Sequence, residues 1–399
     1  MTNSKSMNKA VYPVFLAFLC MGFGDVVSPM VSLAKESFQL SNFSAQLLPF
    51  VGFIMFFVLA IPVGIFQDRN SKKSALLVGM LIAFLGLIIP IIAGMYGVSA
   101  NFQANQFNFV ILLISIFMLG AGATVLQVSG NPVMRDVSSE GRFSSNLSLG
   151  QSIKAIGSSL GFLLPPAVAV AFNMDWTILF PIYAALIFIT SLWIYSIKIP
   201  EKRDTDAGTT SFASCVKLLA NPYVLMMVFG IFVYVGAEVS MSSQVPLLMK
   251  EKFGIETLGL VFAWALFFLP IFLGRLVGSA ILRFMKAPVF LVISVLMGLL
   301  GLIMMLLGGQ YLTFAGIVIV GLGFSNIFPL IFSITIDRMP RFTNELSALM
   351  VMAIVGGGIL PLFAGSIADN FGILLSFIVP LAAVIYLIFI AFTTVKAQK

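Results

Sequence analysis

The chain has no histidine and only two cysteines in 399 residues, and charged residues make up only 9% of it. The missing histidine removes the side chain that titrates most readily near neutral pH, so any proton relay has to run through carboxylates or a lysine. Cys20 and Cys215 stand far apart with no metal-ligand spacing, which leaves two free thiols. No nucleophile–base set and no metal cluster is present in the pattern, so neither enzymatic chemistry nor a cofactor or metal is expected. The scarcity of charge excludes most. A soluble domain carries about 25% charged residues. At 60% apolar and a mean hydropathy of +1.10, this chain cannot cover itself in water, and the lipid bilayer has to be its solvent. Its apolar segments are helix-length and do not alternate, which excludes a membrane β-barrel.

What is there is a series of long apolar runs. A helix needs about 20 apolar residues to cross a hydrocarbon core of about 30 Å. Twelve such spans are expected near 10–33, 44–66, 74–96, 108–134, 145–171, 176–198, 221–249, 257–281, 288–308, 311–336, 343–367 and 371–395, many holding Gly or Pro, which membrane helices tolerate. Basic residues set the orientation. With the N-terminus inside, the inner loops and tails hold eighteen of the Lys and Arg residues, among them Lys72, Lys73, Arg135, Arg275 and Arg338, and the outer loops only Lys35, Lys250 and Lys252. That asymmetry puts both termini in the cytoplasm. The net charge of +7 then reflects positive-inside loops and not a nucleic-acid surface. The first span is too long for a cleaved signal peptide and lacks a small-residue cleavage site.

The polar stretch 199–214, IPEKRDTDAGTTSFAS, divides the chain. It predicts an N-terminal six-helix bundle over 1–198, a cytoplasmic linker over 199–220 and a C-terminal six-helix bundle over 221–399. The halves are weakly alike: GIFQDRNSKK (Gly64 to Lys73) follows span 2, and GRLVGSAILRFMK (Gly274 to Lys286) follows span 8. Asp68, with Arg69 and Arg135, is a candidate latch on the cytoplasmic face, since a carboxylate there can cap a neighbouring helix and pair with basic groups. Plain positive-inside charge is the blander reading of the same residues.

Ionisable groups inside spans are expensive and mark function by default. Three are expected: Asp25 in span 1, Lys154 in span 5 and Glu238 in span 7. At 1.5 Å per residue, Asp25 lies about 22 Å, Lys154 about 14 Å and Glu238 about 24 Å from the cytoplasmic ends of their helices, all near the midplane. Lys154 needs a partner, and Asp25 is the acid within the N-terminal spans, so a salt bridge between them is expected; a substrate anion is the alternative partner. Glu238 reads equally as a site residue or as a structural carboxylate. Gln127 and Asn131 share a face of span 4, Asn146 and Gln151 lie in span 5, Gln244 near Glu238, and Asn326 in mid-span 10. Such amides donate and accept, which suits hydroxyl-rich solutes, and Tyr234, Phe324 or Trp264 could stack on a sugar ring.

The 6+6 layout is that of the major facilitator superfamily, in which two bundles rock about a site at the midplane. More closely, the chain resembles the fucose–proton symporter family of that superfamily. The resemblance runs nearly the whole length and rests on GDVVSPMV around Asp25, FQLSNFSAQLLPFVGFIMFF (Phe38 to Phe57), the GNP of Gly130 to Pro132, NLSLGQSIKAIGS (Asn146 to Ser158), YVGAEVSMSS (Tyr234 to Ser243), LGRLVGS (Leu273 to Ser279), SNIFPLIFSI (Ser325 to Ile334) and ALMVMAIVGGGILPLFAGSIAD (Ala348 to Asp369). It implies an inner-membrane sugar importer working by proton symport, expected as a monomer. Asp25 matches the family's span 1 aspartate, implicated in proton coupling. Gln127 stands where fucose permease carries a second coupling glutamate, and Lys154 where it carries an asparagine. Three readings follow: a proton–sugar symporter with Asp25 titrating against Lys154, a carrier of an acidic sugar met by Lys154, or an uncoupled facilitator. Na⁺ coupling is the alternative ion, disfavoured by an ammonium beside Asp25. A drug exporter would want a more acidic pocket.

Overall fold

The computed structural model of the chain describes residues 4–97, 105–137, 143–199, 211–255, 258–282 and 284–396. The described residues form helices and no strand. Among the described residues, twelve helical spans are long and apolar enough to cross a membrane: Tyr12–Phe38, Asn42–Gln67, Lys72–Ile92, Gln106–Met134, Leu149–Phe172, Trp176–Ser196, Pro222–Glu251, Gly259–Ile281, Ala287–Leu307, Gln310–Arg338, Glu345–Phe371 and Leu375–Lys396. They are spans 1 to 12 below, and they agree with the hydropathy reading to within a few residues at most ends. An even number of crossings puts both ends of the chain on one face, the near face; the loop between spans 1 and 2 lies on the far face.

The packing repeats. Span 3 packs on spans 4 and 6, span 2 on span 4, and span 1 on spans 4, 5 and 6. Adding six to every number reproduces the second half, where span 9 packs on 10 and 12, span 8 on 10, and span 7 on 10, 11 and 12. These are two six-helix bundles of one design. They meet through spans 2 and 11, spans 5 and 8, and spans 1 and 7, again a set that maps onto itself.

In lipid no hydrophobic force drives helices together, so close backbone approach has to supply the packing. The seam of spans 1 and 5 shows it. A Cβ on Gly22 would stand 2.2 Å from the Lys154 carbonyl oxygen, and one on Gly157 would stand 2.2 Å from that of Leu19. Only glycine fits at this crossing, and the crossing brings Lys154 beside Asp25. Its counterpart joins spans 7 and 11, where a Cβ on Gly356 would lie 1.9 Å from the Phe232 carbonyl oxygen.

Several spans are interrupted where the interior is polar. Span 1 breaks at Val26 between helices Ser4–Asp25 and Val27–Phe38. Pro29 has no N–H to return to the Asp25 carbonyl, so the break follows from sequence. Span 8 carries one wide π turn over Trp264–Phe268, and span 10 breaks between Phe324 and Ile327.

Charges close the far face. Lys35 pairs with Glu251, and Lys250 with Glu36 at 2.9 Å. The dipeptide Lys35–Glu36 ends span 1 and Lys250–Glu251 ends span 7, so each basic residue meets the acid of the other dipeptide across the bundle interface. Lys35 Nζ also donates to Asn42 Oδ1 at 2.7 Å. Asp369 in span 11 accepts the backbone N–H groups of Asn42 and Phe43 at 2.9 and 2.8 Å, an anion at the first turn of span 2.

On the near face Lys72 pairs with Asp136, and Lys73 Nζ donates to the Tyr195 carbonyl at 3.0 Å, a cation at the end of span 6. Of the expected latch, Arg69 is exposed; the side chains of Asp68 and Arg135 lie outside the described residues. The Lys72–Asp136 pair in the same region was not anticipated.

Half-exposed ion pairs contribute up to about 1 kcal/mol each and weaken with salt. Reversing Lys250 alone (Lys250→Glu) should therefore lower thermal stability by about 1 kcal/mol at low salt. Adding Glu36→Lys should restore it, because two lysines then face two glutamates. Melting curves at low and high salt check this; a double variant no more stable than the single one would mean the charges do not pair.

Candidate functional site

A cavity of about 70 Å³ lies where the bundles meet. Its charged wall has four members. Asp25 comes from span 1 and Lys154 from span 5; Glu238 comes from span 7 and Arg275 from span 8. Lys154 Nζ stands 3.0 Å from Asp25 Oδ2, the pair that elimination in the sequence points to. Ser158 Oγ donates to the same oxygen at 3.0 Å and sits one turn from Lys154 on span 5. The glycine crossing of spans 1 and 5 fixes this geometry, since all three side chains hang from it.

The second pair corrects the sequence reading. Arg275 is not a cytoplasmic loop charge. It lies within span 8, its Nη2 is 3.2 Å from Glu238 Oε1, and its side chain is 13% exposed. A fourth ionisable group thus joins the three expected inside spans, and it gives Glu238 its partner. Arg275 Nε also donates to the Ser325 carbonyl at 3.1 Å. Ser325 is where the first half of span 10 ends, so the guanidinium sits on a helix C-terminus, where the backbone is negative. Tyr234 OH donates to the neighbouring Phe324 carbonyl at 2.8 Å. Asn326 Nδ2 donates to the Gly274 carbonyl at 2.8 Å. The broken backbone of span 10 is satisfied by side chains of spans 7 and 8, as a membrane interior requires.

The uncharged candidates fall into three groups. Gln127 and Gln151 line the cavity. Asn131 lies beyond Gln127 in a smaller void toward the near face, shared with Gln67 and Ser347. Gln127 borders both spaces, so it separates them. Tyr234, Asn326 and Gln244 are fully buried and Asn146 is half-buried, and none of the four is on the cavity wall. The aromatic faces are not those expected either: Phe53, Phe56, Phe268 and Phe328 line the cavity, while Phe324 and Trp264 do not. Ser28 and Ser242 add hydroxyls. Among the described residues no three His, Cys, Asp or Glu side chains gather as for a metal ion.

The arrangement is charge-balanced, with one acid–base pair from each bundle. It offers amide and hydroxyl hydrogen bonds beside phenyl faces, the mixture that fits a polyhydroxylated ring with apolar C–H faces. An ion pair in low dielectric is delicate, because either partner left alone carries its full desolvation cost.

Comparison with known proteins agrees with this architecture. Residues 14–354 match the Major Facilitator Superfamily. The glucose/galactose transporter of Brucella abortus is 27% identical over 402 residues, covering 97% of this chain and 94% of that protein. The L-fucose-proton symporter of Escherichia coli is 24% identical, covering 90% of this chain and 85% of the symporter. Among solved structures, FucP in the outward conformation superposes with a TM-score of 0.71 at 21% identity, covering 95% of this chain and 98% of that one. That likeness is one of fold.

Removing one partner of a buried pair costs about 3–5 kcal/mol when no water reaches the other; side chains bordering a cavity should lose less. Arg275→Met should thus lower the melting temperature of purified protein markedly, and Arg275→Met with Glu238→Gln should recover most of the loss. Thermal unfolding of the three proteins decides; a double variant as unstable as the single one would show that Arg275 acts through the span 10 break and not through Glu238.

Proposed function

Because the chain belongs to the major facilitator superfamily, we propose that it imports a neutral monosaccharide by proton symport, with its two bundles rocking about the central cavity. The observation that carries the reading is the Asp25–Lys154 pair at 3.0 Å on a cavity wall that also holds amides, hydroxyls and phenyl rings. Protonating Asp25 neutralises it and releases Lys154 Nζ. The freed ammonium and the amides of Gln127 and Gln151 then hold sugar hydroxyls, and the bundles close over a site in which no acid has been left without its base or its proton. Deprotonation toward the cytoplasm re-forms the pair and expels the sugar. Transport names on relatives covering most of the chain, glucose/galactose and fucose with a proton, support the same substrate class.

The reading extends to placement. The near face is cytoplasmic, since it carries the basic loops, and the membrane is the bacterial inner membrane. The functional units are residues 1–198 and 221–399, joined by the linker 199–220, in a chain that works as a monomer and not as an enzyme. A proton suits the site better than Na⁺, because a cation without exchangeable protons would have to sit beside Lys154. An acidic sugar would find a free cation only once Asp25 is protonated, since Lys154 and Arg275 each face a carboxylate in this state.

Asp25→Asn mimics the protonated state and cannot cycle. In proteoliposomes it should retain sugar exchange and lose accumulation driven by an imposed pH gradient, by tenfold or more. Wild-type protein should alkalinise a weakly buffered medium when sugar is added to de-energised cells, and the variant should not. Full accumulation by Asp25→Asn would remove the coupling role.

A further inference from the structure

Two glutamines take no part in the cycle above. Gln46 is 0% exposed and Gln244 is 1% exposed, and in each both the amide nitrogen and the amide oxygen lack a hydrogen-bond partner. Keeping a buried amide unsatisfied costs free energy, and native proteins keep few of them without a reason. Both residues lie beneath the ionic closure of the far face. Gln46 is one helical turn below Asn42, on the same face. Its Cγ lies 2.9 Å from where a Cβ of Gly365 would stand, and Gly365 is one turn from Asp369. Gln46 therefore sits directly under the contact between Asn42 and Asp369. Gln244 is two turns below Glu251 on one face of span 7, about 10 Å inward, and about 9 Å short of Glu238 at the cavity. One turn deeper, Ser240 Oγ is also buried without a partner.

We propose that Gln46 and Gln244 each bind a hydroxyl of a neutral sugar on its way in, sealed under the clasp of Lys35, Glu36, Lys250 and Glu251 while the far face is closed and uncovered when that clasp parts. An amide that lacks both its donor and its acceptor partner is satisfied by a group that donates and accepts at once, and a hydroxyl does both. An anion leaves the oxygen unmet and a cation leaves the nitrogen unmet. Along span 7, Gln244 and Ser240 lie between Glu251 at the far face and Glu238 at the cavity. The ligand class rests on the sugar-transport reading; the uncovering of the two glutamines does not.

The test is thiol labelling of Gln46→Cys and Gln244→Cys in intact cells with a membrane-impermeant maleimide, with and without Lys35→Glu. The native thiols are silent controls: Cys20 and Cys215 are 2% and 0% exposed, and burial with the Glu345 carboxylate nearby pushes Cys215 up to about 11. Labelling should be slow alone, at least tenfold faster with Lys35→Glu, and slowed again by whichever of glucose, galactose or fucose the wild-type protein takes up. Separately, Gln46→Met and Gln244→Met should leave the melting temperature unchanged or raised while the uptake KM rises several-fold. If wild-type protein takes up none of the three sugars, the transport reading falls and the sugar subsite falls with it, while labelling still reports whether the clasp covers Gln46. If it does take them up, the subsite alone is overturned by any of three results: no faster labelling with the clasp broken, fast labelling that sugar does not slow with KM unchanged, or a lowered melting temperature in the methionine variants.

Discussion

Hydrocarbon offers a charge nothing, so every charge carried into the interior of this fold has to meet its opposite there. That constraint organises the molecule. Asp25 and Lys154 are within 3.0 Å of each other, Glu238 and Arg275 within 3.2 Å, and each pair is internal to one bundle. Neither pair is needed to hold the two bundles together, so the bundles can move relative to one another without separating any buried charge from its partner. Had Asp25 been paired across the interface with Arg275, rocking would have required breaking a desolvated ion pair in every cycle.

Bringing a lysine and an aspartate from different helices to this distance requires helix backbones in near contact, and glycine supplies it. The crossing of spans 1 and 5 through Gly22 and Gly157 is repeated by spans 7 and 11 through Gly356. The repeat is close enough to place Lys35–Glu36 and Lys250–Glu251 at matching ends of spans 1 and 7. A basic–acidic dipeptide facing a copy of itself about a pseudo-two-fold axis makes two complementary pairs automatically, which is why the far-face clasp needs no special design beyond the internal duplication.

The spans were legible in the sequence because hydropathy integrates over about 20 residues and is insensitive to detail. The Asp25–Lys154 pair was legible by elimination, there being one acid and one base away from the ends of the N-terminal spans. Arg275 was not. A basic residue near the cytoplasmic end of a span looks like an anchoring charge, and only helix phase and the tilt of span 8 tell whether it points to the interface or to Glu238. The fate of Tyr234 and Asn326 was hidden for a related reason. Tyr234 caps the Phe324 carbonyl at the break of span 10, Asn326 ties that break to the Gly274 carbonyl of span 8, and both demands appear only once the break is known. The aromatic wall was illegible by number alone, since 40 phenylalanines offer too many candidates for four positions.

The rim pairs cross between the bundles and the cavity pairs lie within one bundle each, and that difference suits the proposed cycle. A cavity of about 70 Å³ is well below the roughly 300 Å³ at the lower end of small-ligand pockets, so a sugar enters only after the bundles part. The polar contacts that resist parting on the far face are two partly exposed ion pairs, each contributing up to about 1 kcal/mol, and the hydrogen bonds of Asp369 to the first turn of span 2. A gate held by a few such contacts stays within the few kcal/mol over which two conformations both remain populated. In the proposed cycle a proton takes the place of Lys154 on Asp25, and the oxygens of the sugar solvate the Lys154 ammonium in place of the carboxylate. The rim contacts can part without disturbing either interior pair, and the one interior pair that opens does so only when a proton and sugar oxygens are there to take the partners' places.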